Sequence, residues 1–137
     1  MRRFRVDDHS MEPALRPGDQ VICGKAGTRV HRGSIVVFPH PSRTEMWMVK
    51  RVIALADDEV TIDFGNVLVN DDGVVDRWSG DHNTFPEGRW VVGPGQVFVL
   101  SDNRSATVDD SRSFGPIKLS DALPARWPPR RGPRVRP

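Results

Sequence analysis

Glycine and proline punctuate this chain densely. There are 12 of each among 137 residues. Such a composition favours a turn-rich, mostly β chain over a helical bundle. The apolar segments are short and bounded by turn residues, and helical periodicity is nearly absent. Strands are expected at Asp19–Cys23, Ser34–Phe38, Met46–Leu55, Val60–Phe64, Val67–Asn70, Arg89–Val92 and Gln96–Leu100. Phe64-Gly65-Asn66 and Asn70–Gly73 read as hairpin turns. Residues 77–88 read as a polar loop, 101–116 as a long structured loop without an element of its own, and 118–123 as the one possible helical turn. The expected architecture is all-β: a compact antiparallel domain over 1–125, and a Pro/Arg-rich tail over 126–137 read as disordered or extended.

Several classes are excluded. A length of 137 residues suits one domain. No apolar run approaches the roughly 18 residues of a spanning helix. Arg2, Arg3 and Arg5 are not followed by an apolar stretch, so no secretory signal is read. One cysteine, Cys23, permits no internal disulfide, and four scattered histidines offer no ligand spacing. No metal or other cofactor is expected. Nucleic-acid binding has no support beyond the basic tail, which is read as a solvated segment or a peripheral contact with anionic lipid.

The chemistry starts in the most apolar stretch, Met46–Leu55, which contains two adjacent cations. Alternation puts Lys50 on one face with Met46, Met48, Val52 and Ala54, and Arg51 on the other with Trp47, Val49, Ile53 and Leu55. Of 20 basic residues only Lys25, Lys50 and Lys118 are lysines. Lysine, unlike arginine, can lose its proton when desolvated, and a buried amine can act as a general base. Taken alone, Lys50 reads as readily as an edge-strand lysine with its ammonium in water. The candidate partner is Ser10, in Asp8-His9-Ser10-Met11-Glu12-Pro13-Ala14-Leu15. Pro13, Pro17 and Gly18 make that segment a restricted approach to the strand after it. A serine needs a base within reach to become a nucleophile.

Ser10-Met11-x-Pro-x-Leu followed by Val49-Lys50-Arg51-Val52 resembles the Ser–Lys dyad proteases, which include type I signal peptidases and self-cleaving SOS-type repressors. Ser101-Asp102-Asn103-Arg104, then Asp110-Ser111-Arg112-Ser113-Phe114-Gly115, resembles the signal-peptidase box, and Val67–Asn70 resembles that family's hairpin. The repressors lack this box, and no DNA-binding pattern of the kind they carry is read here. A repressor-like chain would shorten itself at high pH.

The resemblance to type I signal peptidases implies Ser10 as nucleophile and Lys50 as general base. The Ser10 N–H would donate to the oxyanion. Met11 would pack beneath the site. Asp102, Arg104, Asp110, Ser111 and Arg112 would hold the supporting loop. Substrate would be an extended peptide added as a strand and cut after small residues, as in Ala-x-Ala. The resemblance implies association with the extracytoplasmic face of a membrane; the chain as given has no anchor or signal and is expected to be soluble, and cytoplasmic if it is the full natural protein.

The departures are specific. Many members carry a hydroxyl donor two residues before the nucleophile, where this chain has Asp8. Ser101 replaces the usual Gly, Ala14 a common Thr and Ala56 a common Pro. The stretch from Asp102 to Asp110 is one residue longer than usual, so the hydroxyl that orients the lysine maps to Thr107 or to Val108, and only Thr107 has a hydroxyl. Two alternatives accompany the main reading: a soluble maturation protease like that of nickel superoxide dismutase, and an inactive relative that binds peptides or lipid surfaces. No Ser–His–Asp triad motif is recognisable.

Overall fold

The computed structural model describes residues 1–72, 79 and 83–127. Its strands are β1 (Arg2–Arg5), β2 (Gln20–Cys23), β3 (Ile35–Pro39), β4 (Trp47–Ala54), β5 (Glu59–Asp63), β6 (Asn66–Val69), β7 (Gly88–Val91), β8 (Gln96–Leu100), β9 (Ile117–Lys118) and β10 (Leu123–Trp127). One helical turn, α1, spans Ser111–Phe114, and a 3-10 turn spans Leu119–Asp121. The all-β expectation holds. The seven expected strands are present, each with ends within a residue of those read from the sequence.

The strands form a seven-stranded sheet in the order β1-β2-β10-β3-β4-β8-β9 and a three-stranded sheet in the order β6-β5-β7. All recorded pairings are antiparallel. Asp63 pairs with Asn66, so Phe64 and Gly65 form a two-residue loop, both with positive φ (49° and 80°), as a tight twisted hairpin requires. Ile53, Ala54, Phe98 and Leu100 of the large sheet pack with Val60, Ile62, Val67, Val69 and Val92 around the small one. Each such buried side chain is worth about 1.5–3 kcal/mol. A second apolar cluster joins Val36, Phe38, Met48, Val52, Val97 and Val99. The third gathers Val6, Met11, Leu15, Val21, Cys23, Val37 and Leu123 under the N-terminal segment.

Five features differ from the sequence reading, the first being the short β9, whose Ile117 and Lys118 pair with Val97 and Gln96 of β8. β1 (RRFR) lacks an apolar alternation and forms because Arg2 to Arg5 pair along β2. β10 runs two residues into the segment read as tail, to Trp127. Its Pro124 lies near the strand start, a position where a missing N–H is tolerated; Leu123 and Pro124 pair with β3, Ala125 and Trp127 with β2, and the β2 register shifts between Ala125 and Trp127. α1 lies inside the long loop read as having no element of its own, with the Asp110 side chain accepting from the Arg112 N–H as its N-cap. Beyond Val52 a bulge shifts the β4–β8 register, so Val52, Ile53 and Ala54 are all buried and the expected alternation ends there. The tail beyond Trp127, residue 73 of the second expected turn and most of residues 77–82 lie outside the described residues.

Candidate active site

The antiparallel register builds the site. Arg51 on β4 faces Leu100 on β8. Continued one step past the end of β8, the register sets Lys50 opposite Ser101, and Asp102 on the Arg51 face. Lys50 is 1 % exposed, and its Nζ donates to Ser101 Oγ at 2.9 Å. Arg51 makes a two-point pair with Asp102, Nε to Oδ1 at 3.2 Å and Nη2 to Oδ2 at 2.6 Å, and its Nη1 donates to the Gly33 carbonyl. The two faces of the strand thus treat their cations differently. Burial lowers the Lys50 pKa from its ordinary 10.5. The nearby carboxylates of Asp110, Asp8 and Asp109 oppose that shift, and Arg112 adds to it.

Ser10 is held on a loop pinned at both ends. Met11 is fully buried, and its Sδ meets the Asp102 N–H at 3.5 Å. The Asn103 N–H donates to the Ser10 carbonyl at 2.9 Å, and Asn103 Nδ2 to the His9 carbonyl at 3.1 Å. The segment after β8 therefore touches both halves of the candidate pair: Ser101 meets Lys50, and the next two residues hold the Ser10 loop. Ser10 is 6 % exposed. Its hydroxyl donates to Asp8 Oδ1 at 2.9 Å, and its N–H to the same oxygen at 3.1 Å.

The support beneath is a buried charge network. Asp110 accepts the Ser101 N–H at 2.9 Å on Oδ2, where Arg112 Nη2 also donates at 2.7 Å. Arg112 Nε and N–H both donate to Oδ1. Burial pushes the Asp110 pKa up, yet hydrogen bonds and charge from Arg112, with the Ser101 amide, hold it below the usual carboxylate value. Arg112 further ties down the carbonyls of Phe85, Arg104 and Thr107. Arg104 donates to the Ser101 carbonyl and to Thr84 Oγ1. Ser111 Oγ accepts the Val99 N–H at 2.8 Å, fastening α1 to β8. These arginines act as multi-point clamps on irregular backbone.

One expected contact is absent. The hydroxyl that Lys50 meets belongs to Ser101, while Thr107 Oγ1 accepts the Asp109 N–H at 3.0 Å in a local turn. The sequence treated Ser101 only as a replaced glycine. Its role was available from strand register, which pairs the residue after β8 with Lys50. Arg51 with Asp102, and Asn103 on the serine loop, were likewise not read in advance. A Ser–His–Asp grouping does occur in space. His40 Nε2 lies 3.2 Å from Asp109 Oδ1, and Ser42 Oγ lies 3.5 Å from Nδ1. The Nδ1 lone pair is already occupied by the Ser42 N–H at 3.1 Å, which makes the grouping a fastening of β3 to the loop before α1.

The profile of the family described as "Signal peptidase, peptidase S26" matches residues 1–124. The chain belongs to the S26 signal peptidase family. It is 33 % identical over 144 aligned residues to mitochondrial inner membrane protease subunit 2 of Mus musculus, covering 96 % of this chain and 70 % of that protein. It is 34 % identical over 138 residues to signal peptidase I of Bacillus caldolyticus, covering 88 % and 74 %. The crystal structure of a signal peptidase I from Enterococcus faecalis V583 superposes with a TM-score of 0.61 at 25 % identity, over 72 % of this chain and 97 % of that one. The S26 chain spans between 37 % and 74 % of the length of such relatives. Membership makes it a serine protease, a hydrolase of the class that removes signal peptides. Among the described residues no helix is long and apolar enough to cross a membrane.

Proposed function

We propose that this S26 domain is a Ser–Lys dyad endopeptidase that removes N-terminal signal peptides after small residues, at Ala-x-Ala-like sites. The supporting observation is Lys50, a buried amine hydrogen-bonded to a neutral hydroxyl rather than to a carboxylate, with a lowered pKa. Such an amine is poised to be neutral, which a general base must be. In the reaction, Lys50 Nζ takes the Ser10 hydroxyl proton as Oγ bonds to the scissile carbonyl carbon. The tetrahedral oxyanion forms beside the Ser10 N–H. Collapse breaks the C–N bond, and the leaving amine takes the proton from Lys50. Neutral Lys50 then takes a proton from water as its oxygen attacks the acyl carbon; the C–Oγ bond breaks, and Lys50 returns the proton to Ser10 Oγ. Met11, Asp102, Arg104, Asp110, Ser111 and Arg112 serve as positioning residues, holding the loops that carry the dyad.

The substrate is proposed to be a pre-protein peptide bound as an extended strand. A peripheral contact between the basic tail and anionic lipid would bring the domain to such substrates. A second reading, an inactive peptide-binding relative, is favoured by one contact: Asp8 accepts both the hydroxyl and the N–H that the reaction requires.

Cleavage of an Ala-x-Ala peptide, followed by mass spectrometry from pH 6 to 10, tests the proposal. The expected result is a cut after the second Ala that rises with pH and disappears in Ser10→Ala and Lys50→Ala. No cut with detergent or lipid present, or undiminished cutting by either variant, overturns it.

A further inference from the structure

Asp8 lies where the reaction needs freedom. One carboxylate oxygen, Oδ1, accepts the Ser10 hydroxyl at 2.9 Å and the Ser10 amide at 3.1 Å. The first bond withholds the proton that Lys50 is to take. The second occupies the donor that would stabilise the oxyanion. An ionised carboxylate there also repels the negative charge that develops on the substrate oxygen. Its field at Lys50 favours the ammonium form, against the burial that lowers it. All four effects hold the unliganded site at rest.

Asp8 itself is exposed. Among the described residues it has no ion-pair partner. The other acids of this region are engaged differently. Glu12 pairs with His9, Asp109 meets His40 and Arg43, and Asp110 is enclosed by Arg112. Asp8 is thus an accessible carboxylate within hydrogen-bond reach of the nucleophile; its bonds to Ser10 both use Oδ1 and leave Oδ2 to face a ligand. A cation brought beside the scissile bond would compete with Ser10 for it. An ammonium or guanidinium adds ion-pair attraction that the neutral Ser10 hydroxyl and amide lack, so it can displace the serine from the carboxylate.

We propose that Asp8 is a specificity-determining residue that keeps Ser10 bonded and inactive until a substrate with a basic residue next to the scissile bond draws the carboxylate away. Such a substrate removes three restraints at once: Oγ–H is released to Lys50, the Ser10 N–H is released to the oxyanion, and the negative field at Lys50 is partly neutralised. A neutral substrate must displace the carboxylate with nothing to replace its partner. The proposal rests on the Ser–Lys reading above and adds a substrate class to it: extended peptides cut after a small residue, with Lys or Arg within one or two positions of the cut.

The test uses two Ala-x-Ala peptides that differ only in Lys or Gln just after the cleavage position, with the wild-type chain and Asp8→Ala. The expected wild-type kcat/KM favours the Lys peptide by about tenfold, the scale of one hydrogen bond to a charged group. In Asp8→Ala that ratio falls toward one because the Gln peptide is cut faster. An equal preference in both proteins, or a loss of activity on both peptides in Asp8→Ala, overturns the inference and leaves the dyad reading in place. If neither protein cuts either peptide, the dyad reading fails. The Asp8 contact is then judged on Lys50 alone, by NMR titration of side-chain-labelled lysine, which has only Lys25, Lys50 and Lys118 to resolve. Four charged groups act on Lys50: Asp8, Asp109, Asp110 and Arg112. Removing Asp8 is expected to lower its titration midpoint; an unchanged midpoint overturns the coupling.

Discussion

Lys50 and Arg51 are consecutive on β4 and meet consecutive residues after β8, yet their surroundings are opposites. Arg51 faces Asp102 through two hydrogen bonds, with side-chain exposures of 11 % and 0 %. Lys50 faces the hydroxyl of Ser101 and is more deeply buried. A buried pair keeps both its charges at the cost of desolvating them. A buried amine given only a neutral partner drifts toward its uncharged form. One strand therefore carries a structural cation on one face and a candidate base on the other, and the choice of residue matches. Arginine stands where charge must persist, and lysine where it must be lost.

Exchanging the residue at the first position breaks the comparison most directly. In Lys50→Arg the cation can no longer deprotonate. Activity on the Ala-x-Ala peptide should fall by about 10²–10⁴, the usual share of a general base. Circular dichroism on the same sample checks that the fold is retained. Retained cleavage by a folded Lys50→Arg protein would remove Lys50 from the role of base.

The second position should respond in stability. Asp102→Asn leaves the Arg51 guanidinium without the charge of its nearest carboxylate. The expected loss is about 3 kcal/mol, in the range for breaking a buried pair from one side. Urea denaturation measures it. The double variant Arg51→Met, Asp102→Leu should recover much of the loss, because apolar replacement of both partners removes the desolvation cost. A double variant as unstable as the single one would show that the pair stabilises beyond its own charges.

How much of this contrast was readable in the sequence depends on distance along the chain. The strands with a local apolar signature, the alternating Val60–Ile62 and the continuous run Val97–Leu100, were legible because local pattern and final burial agree. β1 was not, since only Phe4 among its residues is apolar and its partner lies some twenty residues away. Lys50 and Ser10 were singled out by residue type and by resemblance to a family. Ser101 as the partner of Lys50 was not, because it follows from the register between β4 and β8, a relation among residues fifty apart. Counting along the motif pointed to Thr107 instead, whose hydroxyl is engaged in its own turn. Asp8 stood out as an unusual residue. That its single oxygen takes both the hydroxyl and the amide of Ser10 is a matter of loop geometry.

The smallest expected effect sharpens the comparison by asking what it costs to bury Lys50. Its folded pKa is lowered, chiefly by burial, against 10.5 for the free side chain. Between those two values the unfolded chain binds more protons at this position than the folded one. Stability therefore rises with pH across that window and is flat on either side. Lys50→Met removes the titrating group and keeps an unbranched side chain. The wild type should thus be less stable relative to Lys50→Met at low pH, and the gap should close as pH rises toward 10.5. Asp110, held below the usual carboxylate value by Arg112, contributes no slope there. Cys23, whose thiol burial pushes up to about 11, makes the fold less stable on the alkaline side. That contribution is common to both proteins and cancels in the difference. Paired urea titrations from pH 6 to 10 at fixed salt read the difference directly. A flat difference would mean that Lys50 titrates alike folded and unfolded. The contrast with Arg51 would then be one of hydrogen-bond geometry rather than of charge.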